Sequence, residues 1–150
     1  MNEDPYEPMH TPIEHKTHRH NVVFGLKTPV GRDVPVTVEL LYDTRDPYAI
    51  KASFAHRRSS RIDWVFARDL LAEGLLAPSG EADVRVRPCA YDQESVLVDL
   101  SSPTGSATFM ANSQELSDFL SCTYDVIPDG DESSWINFDL ELLRLNPDHW

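Results

Sequence analysis

Thiol and imidazole side chains are the first candidates for chemistry in this sequence. Cys89 or Cys122 acting with His56 would supply a nucleophile and a base. Nothing in their spacing places a thiol beside the imidazole, so two buried structural cysteines are the favoured interpretation. A single bridge between the two cysteines stays open at this point. Because there is no CxxC pair and no dense cysteine pattern, the sequence favours a reducing compartment.

Paired carboxylates are a second route to acid–base chemistry. Asp63 and Asp99 each lie among alternating apolar residues and are candidates for such a pair. The same alternation puts both side chains on the polar face of their strands, which favours a solvated sheet surface. The sequence contains no GxGxxG, HExxH or GxSxG motif and no phosphate-binding GxxxxGK loop. It therefore predicts no catalytic centre and no cofactor.

Three histidines, His15, His18 and His20, lie in the segment HKTHRH. Clustered imidazoles can bind a transition metal. No cysteine or carboxylate pair stands at a matching distance, so we predict no specific metal site here.

One basic cluster is present, formed by His56, Arg57, Arg58 and Arg61, with Arg68 nearby in the chain. On a loop these cations can grip a phosphate or the acidic tail of a partner. The alternative is that they only solvate a turn. Because the chain as a whole is acidic, a protein segment is favoured over nucleic acid as their ligand.

Charge is the unusual feature of the composition. The 150 residues include 25 acids and 13 bases, for a formal net charge of −12. Such a charge disfavours general affinity for nucleic acids and anionic membranes. Residues 111–150 contain nine of the acids and a single base, Arg144. That quarter is either a solvated acidic face or a docking surface for a basic partner.

Period-two alternation dominates from Asn21 onward and predicts strands. In VTVELLY and YAIKASF the apolar residues alternate with polar ones, and the DTRDP turn between them predicts a β-hairpin. RIDWVF, ADVRVRP, SVLVDLS and SATFMA alternate in the same way. We predict an α+β fold of about seven antiparallel strands with a few short helices.

Helical spacing is confined to three segments. ARDLLAEGL predicts a short helix that ends at Gly74 in the left-handed conformation. Asn112 and Glu115 fit a capping box that opens a second helix. That helix is predicted to bury one stripe of side chains, Leu116, Phe119, Leu120, Thr123 and Tyr124. NFDLELLRLN predicts a last amphipathic helix.

The first 20 residues are polar and proline-containing, and they are predicted to form a flexible N-terminal extension. Residues 21–150 are predicted to form a single domain. No stretch approaches the length of an apolar membrane helix, and the N-terminus does not have the pattern of a signal peptide. The sequence thus predicts a cytoplasmic protein without membrane insertion.

The blocks LLYDTRDPYAI, WVFARDLLAEGL, GEADVRVRP and LSSPTG, in this order, closely resemble the SsgA-like family of sporulation and cell-division regulators of actinobacteria. The resemblance extends from about Val36 to Pro128. It implies a small cytoplasmic protein that is not an enzyme, with antiparallel sheets in a Whirly-like fold and a homotrimeric assembly. It also implies an oligomeric adaptor that recruits or positions the divisome protein FtsZ, another SsgA-like protein or cell-wall machinery at division septa.

Kinship with Whirly proteins raises the alternative of a single-stranded nucleic-acid-binding module. Such a surface needs basic residues interleaved with stacking aromatics. The polar faces of the predicted strands are instead mixed in sign, as Lys51, Asp63 and Arg85 illustrate. We therefore do not extend the resemblance to nucleic-acid binding.

Most residues of the matching blocks are explained by turn formation, core packing or helix termination. Three residues around the strand-to-helix junction are not: Arg68, Asp69 and Glu73. We predict that these three form an exposed patch that faces a protein partner.

Overall fold

The computed structural model describes residues 14–56 and 60–136, which form two antiparallel β-meanders, each followed by a helix. The first unit comprises β1 (Thr17–Leu26), β2 (Val34–Asp43), β3 (Ala49–His56), β4 (Ser60–Ala67) and α1 (Arg68–Gly74). The second unit comprises β5 (Ser79–Glu81), β6 (Val84–Pro88), β7 (Ser95–Ser102), β8 (Gly105–Asn112) and α2 (Ser113–Val126). A 3₁₀ turn at Glu132–Trp135 follows α2.

The eight strands belong to one sheet, in the order β4-β3-β2-β1-β8-β7-β6-β5. The two meanders meet where β1 pairs with β8 through Gly25–Met110 and Leu26–Phe109. The predicted antiparallel α+β fold is thus confirmed, with eight strands where the sequence predicted about seven.

Strand β5 lies between the predicted ARDLLAEGL helix and the predicted ADVRVRP strand, in a segment for which the sequence predicted no strand. Three residues are too few to display alternation, and Gly80 at the centre of β5 has a φ of +100°. A Cβ at this position would collide with the carbonyl oxygen of Val84. Glycine is therefore required for the tight pairing of β5 with β6.

The predicted hairpin between β2 and β3 is confirmed. Asp43 shapes its turn in two ways. Its carbonyl oxygen accepts a hydrogen bond from the Asp46 amide at 2.9 Å, and its carboxylate accepts one from the Arg45 amide at 2.9 Å. These bonds replace the ladder pairing that the turn interrupts.

Strand β1 begins at Thr17, so the prediction that residues 17–20 belong to a flexible extension is wrong. These residues pair with β2 as far as Thr17–Asp43. Three of them, Thr17, Arg19 and His20, are polar and exposed, whereas His18 is partly buried with its ring 5.4 Å from that of Phe119 on α2. Residues 1–13 and the predicted helix at 137–146 lie outside the described residues.

Both described helices occur where the sequence predicts them. Gly74 ends α1, but it is not in the left-handed conformation that we expected. It is a glycine because a Cβ would collide with the side chain of Val86 on β6. At the start of α2, the Asn112 side chain accepts a hydrogen bond from the Glu115 amide at 2.9 Å, as in the predicted cap.

One core serves both meanders. The rings of Phe24 and Phe54, from the first meander, lie 5.8 Å apart, and Phe109 of β8 lies 4.9 Å from Phe54. Leu116 and Phe119 of α2 belong to the same buried cluster. The prediction that this stripe of the helix is buried is therefore confirmed for these two residues. Among the described helices, none is long and apolar enough to span a membrane.

Candidate functional site

Arg68 is the first residue of α1 and is almost completely buried, with 1% of its surface exposed. Strand β4 runs directly into the helix through Ala67, which is extended. The Arg68 amide donates a hydrogen bond to the Tyr48 carbonyl oxygen at 2.7 Å. This bond ties the strand-to-helix junction to the β2–β3 hairpin, so two of the sequence blocks singled out above meet at Arg68.

The Arg68 guanidinium caps the C-terminal end of α2. Its Nη1 donates to the carbonyl oxygens of Ile127 at 2.8 Å and Thr123 at 3.3 Å. Carbonyl groups at the C-terminal end of a helix carry the negative end of the helix dipole, and the last of them have no intrahelical partner. The Thr123 oxygen also accepts the Ile127 amide at 2.9 Å, so Arg68 is its second donor. A buried cation is therefore favourable at this position.

Two tyrosine rings enclose the same guanidinium. Its central carbon lies 4.9 Å from the ring centroid of Tyr42 and 4.6 Å from that of Tyr124. Tyr42 is fully buried, and its hydroxyl donates to the Pro47 carbonyl oxygen at 2.7 Å. Burial raises the pKa of Tyr42 to about 12, although the charge of Arg68 acts in the opposite direction. Tyr42 therefore stays a neutral hydrogen-bond donor at physiological pH.

Glu132 supplies the carboxylate that neutralises Arg68. Its Oε2 lies 2.8 Å from Nη2 of Arg68, and its Oε1 accepts the Gly130 amide at 2.9 Å. Burial opposes the charge on Glu132. The hydrogen bonds from Arg68 and from backbone amides outweigh it and hold the carboxyl pKa below its ordinary value.

Two more carboxylates stand next to this ion pair. Oxygen atoms of Asp69, Asp129 and Glu132 lie within 4.8 Å of one another. Burial, and then the negative charges of Asp129 and Glu132, raise the pKa of Asp69. Because Glu132 already binds Arg68, a cation placed among the three carboxylates would meet a guanidinium charge, so this group does not fit a metal centre.

The prediction that Arg68 is exposed is wrong. The periodicity of α1 contained the signal, since Arg68 lies one turn before Leu71, a buried core residue. Asp69 and Glu73 are exposed on the other side of the helix, as predicted. Glu73 also accepts a hydrogen bond from the Ser79 hydroxyl at 3.1 Å. The partner-binding role of Asp69 and Glu73 stays a prediction.

Glu132 and Tyr124 complete the Arg68 site and were not singled out as functional residues. Glu132 is 64 positions away from Arg68 in the chain, and no spacing rule connects them. The one available signal for Glu132 was an acid in a turn-rich segment after α2, and many exposed acids share that description.

The basic cluster predicted on the β3–β4 loop does not include Arg68, which lies in the core. Arg57 and Arg58 lie outside the described residues. His56 is exposed at the end of β3. Arg61 lies 3.6 Å from Glu39, which also pairs with Arg19 at 3.3 Å. One carboxylate thus serves two arginines on this face.

The cysteines are free, which excludes a bridge between them. Cys89 is buried, but Cys122 is exposed on α2, so the prediction of two buried thiols is wrong for Cys122. It follows the stripe residue Leu120 by two positions, which turns its side chain away from the sheet. Four strands separate β3, which ends at His56, from β6, which precedes Cys89. Cys89 and His56 therefore do not follow neighbouring strands, and Cys122 lies on α2, outside the sheet.

The remaining candidates have separate structural partners. Asp63 is exposed on β4, whereas Asp99 on β7 binds the Arg87 side chain at 2.9 Å. The two carboxylates lie in different meanders and form no pair. The imidazole of His15 contacts the Thr44 hydroxyl at 2.9 Å, while His18 packs on Phe119 as described above.

Fold and site together define a class of protein: two antiparallel β-meanders, each ending in a helix, joined in one sheet and locked by a buried arginine between two tyrosines. The family model described as "Streptomyces sporulation and cell division protein, SsgA" matches residues 36–132. The matched range includes Arg68, both tyrosines and Glu132.

Curated relatives agree with the family model. The chain is 53% identical over 134 residues to the sporulation-specific cell division protein SsgB of Saccharopolyspora erythraea, covering 89% of this chain and 95% of that protein. It is 44% identical over 113 residues to the SsgB protein of Streptomyces coelicolor, covering 75% and 82%.

Solved structures share the fold. An SsgA-like sporulation-specific cell division protein from Thermobifida fusca matches with a TM-score of 0.78 at 37% identity, covering 89% of this chain and 98% of that one. A structure from a study of SsgB mutations and longitudinal cell division in Streptomyces coelicolor matches with a TM-score of 0.76 at 39% identity, covering 81% and 96%. This chain belongs to the SsgA family, and the resemblance found in the sequence is confirmed.

Proposed function

We propose that this protein acts in sporulation-specific cell division as a non-catalytic adaptor. The observation that carries the proposal is family membership, together with a 53% identical relative named as a sporulation-specific cell division protein. In this proposal the protein is cytoplasmic and is recruited to division septa. There it positions the divisome protein FtsZ, another SsgA-like protein or cell-wall machinery.

The architecture of the motif residues supports a non-catalytic role. Arg68 and Tyr42, central to the matching blocks, are buried and engaged in capping and packing. Their burial leaves the exposed surface, and not a reactive pocket, as the place where this protein would act. Protein–protein recognition by charged and apolar surface residues fits that arrangement.

The partner surface proposed here is the exposed side of α1 and the loop that follows it. It contains the carboxylates of Asp69 and Glu73, and Leu76 is 86% exposed. An apolar side chain beside negative charge suits a basic partner segment with an apolar residue. We further propose that the protein acts as a homo-oligomer, with the trimer of the family resemblance as the expected state.

A pull-down with purified FtsZ tests the adaptor proposal. The double charge reversal Asp69→Lys with Glu73→Lys should reduce retention of FtsZ at least about tenfold, because two attractions become repulsions. The matched control reverses Asp83 and Glu94, exposed acids of the second meander. Equal retention by both double variants would reject the α1 surface, and no retention by the wild-type protein would reject FtsZ as the direct partner.

A second experiment places the role in the cell. A fluorescent fusion in sporulating hyphae is expected to form ladders at septa, and the α1 double variant is expected to lose them while the control keeps them. Diffuse signal from the wild-type fusion would contradict recruitment to septa. Sedimentation of the purified protein as a monomer would contradict the oligomeric adaptor.

Charge pairing on the sheet supports a protein partner over nucleic acid. Glu39 pairs with two arginines, Arg19 and Arg61, and Asp99 pairs with Arg87. A single-strand-binding face would leave such cations free for phosphate. The expected result is no mobility shift of single-stranded DNA or RNA at low salt, and a salt-sensitive shift would revive the nucleic-acid alternative.

A further inference from the structure

The segment that follows α2, residues 128–136, is here called the strap. Its backbone hydrogen bonds are local ones, such as Asp131 to Pro128 at 3.0 Å and Ser134 to Asp131 at 3.2 Å. Among the residues that the structure describes, its one hydrogen bond to a residue outside itself is between Glu132 and Arg68. Trp135 adds partial packing against the core. The strap is thus fastened at one polar point.

Like charges oppose this fastening. The carboxylates of Glu132 and Asp129, both in the strap, lie within 4.8 Å of the carboxylate of Asp69 on α1. Of these three carboxylates, the one that forms an ion pair with Arg68 is that of Glu132, so closing the strap brings two negative charges towards a third. Burial is the largest cause of the raised pKa of Asp69, and the charges of Asp129 and Glu132 raise it further, in agreement with this repulsion.

The ion pair itself makes limited use of the guanidinium. Glu132 binds Arg68 through one oxygen, because its other oxygen accepts the Gly130 amide. Within the described part of the chain, Nε of Arg68 is buried without a hydrogen-bond partner. A carboxylate that bound both Nε and Nη2 would hold the arginine more strongly. The closed state therefore does not use the strongest fastening that the arginine offers.

The other contacts of Arg68 do not depend on the strap. Ile127 and Thr123 accept its Nη1 from the end of α2, and the rings of Tyr42 and Tyr124 belong to β2 and α2. Loss of the Glu132 contact would leave these four partners in place. The strap can consequently open without unfolding the sheet or either helix.

We propose that residues 128–136 form a releasable latch. Glu132 leaves Arg68, the strap swings away as a unit, and the guanidinium between the two tyrosines becomes accessible to solvent. Repulsion between the carboxylates of Asp69 and Asp129 favours the open state, and the attraction of Arg68 for Glu132 favours the closed state. The latch provides a local conformational switch beside the exposed side of α1.

Hydrogen exchange of the full chain tests the latch. In the wild-type protein, the amides of Gly130, Asp131 and Ser134 should exchange at least about tenfold faster than those of β2, since they open locally. Glu132→Gln should accelerate strap exchange about tenfold more, and Asp69→Asn should slow it a few-fold by removing repulsion. Asp118→Asn, an exposed acid on α2, is the matched control and should leave strap exchange unchanged.

Chemical labelling gives a second readout. A dicarbonyl reagent that modifies accessible guanidinium groups should react with Arg68 much more slowly than with exposed Arg85 in the wild-type protein. Glu132→Gln should accelerate labelling of Arg68 and leave that of Arg85 unchanged. If Glu132→Gln does not fold, the wild-type exchange rates and the Asp69→Asn variant still decide the question. Strap amides that exchange only together with β2, or an Asp69→Asn variant that exchanges no more slowly, would overturn the latch.

Discussion

The side chain of Arg68 combines burial with three kinds of contact. It is nearly fully buried, caps the end of α2 through two carbonyl oxygens, lies between two aromatic rings and forms an ion pair with Glu132. Burying a guanidinium is costly, and these contacts together offset the cost. The gain is geometric, because a single side chain fixes the end of one helix relative to the start of the other.

Replacing this arginine should therefore be severe. Arg68→Ala leaves Glu132 as a buried carboxylate without its cation and removes the guanidinium donor to the Ile127 carbonyl oxygen, whereas the Thr123 carbonyl oxygen still accepts the Ile127 amide. We expect the free energy of unfolding to fall by about 3–5 kcal/mol in urea denaturation. Arg61→Ala, which removes an exposed pair, is the control and should cost less than about 1 kcal/mol. Equal losses in the two variants would contradict the central role of Arg68.

The dependence of stability on pH should distinguish the effects of two neighbouring carboxylates, Asp69 and Glu132. The pKa of Asp69 is raised in the folded state from an ordinary value of 3.8, so its ionised form destabilises the fold at neutral pH. That destabilisation is lost as the pH falls through the raised pKa. The pKa of Glu132 is lowered from 4.5, so its ionised form stabilises the fold. This stabilisation is fully present above pH 4.5 and is lost as the pH falls through the lowered pKa.

The wild-type protein should thus gain stability relative to Asp69→Asn as the pH falls through the raised pKa of Asp69 towards 3.8. Relative to Glu132→Gln, the wild-type protein should lose stability further into acid, because Glu132 loses its charge there and glutamine has none to lose. Urea denaturation at a series of pH values measures both differences. A wild-type protein that loses stability relative to Asp69→Asn over the same interval would contradict the raised pKa of Asp69.

At the scale of elements, the contact between α1 and β6 requires a residue without a side chain. A Cβ on Gly74 would collide with the side chain of Val86 and approach its carbonyl oxygen at 2.9 Å. The helix therefore lies as close to the strand as the backbone permits. This approach positions Asp69 and Glu73 on the outer side of α1.

Gly74→Ala should lower the free energy of unfolding by about 1–3 kcal/mol, because the helix must move away from β6. Helix propensity alone would favour alanine over glycine, so a loss of stability is diagnostic of the collision. Glu73→Ala, one residue earlier and exposed, should stay within about 0.5 kcal/mol of the wild type. Thermal unfolding measures both, and a stabilised Gly74→Ala would refute the close contact.

The sequence correctly predicted the elements that depend on residues close together in the chain. The alternation of β2 and β3, the DTRDP turn and the Asn112 cap all depend on residues within a few positions of each other. The position of Gly74 at the end of α1 was also predicted, but the reason for a glycine there lies in Val86, twelve positions later in the chain.

The errors share a physical cause, which is contact between distant segments. The side chain of Arg68 is exposed or buried according to the position of α2 and Glu132, and the polar start of β1 is a strand because β2 pairs with it. Strand β5 exists only through its pairing with β6. A single sequence without its tertiary partners contains no direct record of these contacts.

At the scale of the whole molecule, negative charge is distributed unevenly between the sheet and the segments that follow it. The described part of the acidic C-terminal quarter, residues 111–136, contains six acids and no base, and it forms α2 and the strap. The cations of the sheet are largely paired, as Arg87 with Asp99 and Arg19 with Glu39 show. These six acids contribute −6 of the net charge of −12, so half of the excess lies on one helix and its extension, a surface that attracts basic segments and repels acidic ones.

The joint between the two meanders decides whether the molecule unfolds in one step. Only two residue pairs connect β1 to β8 in the ladder, but Phe109 of β8 packs against Phe54 of β3 and so links the cores of both halves. Phe109→Ala should lower the free energy of unfolding by about 3–5 kcal/mol and destabilise both meanders together.

Two probes, one in each half, measure this coupling: amide exchange in β3, and reaction of the buried Cys89 thiol between β6 and β7 with a thiol reagent. If the shared core makes the halves cooperative, both rates rise by the same factor in Phe109→Ala, and the exposed Cys122 thiol serves as the internal standard for the reagent. Unequal factors would mean that each meander unfolds on its own. Such independence is not expected, because neither four-stranded unit can bury its aromatic face without the other.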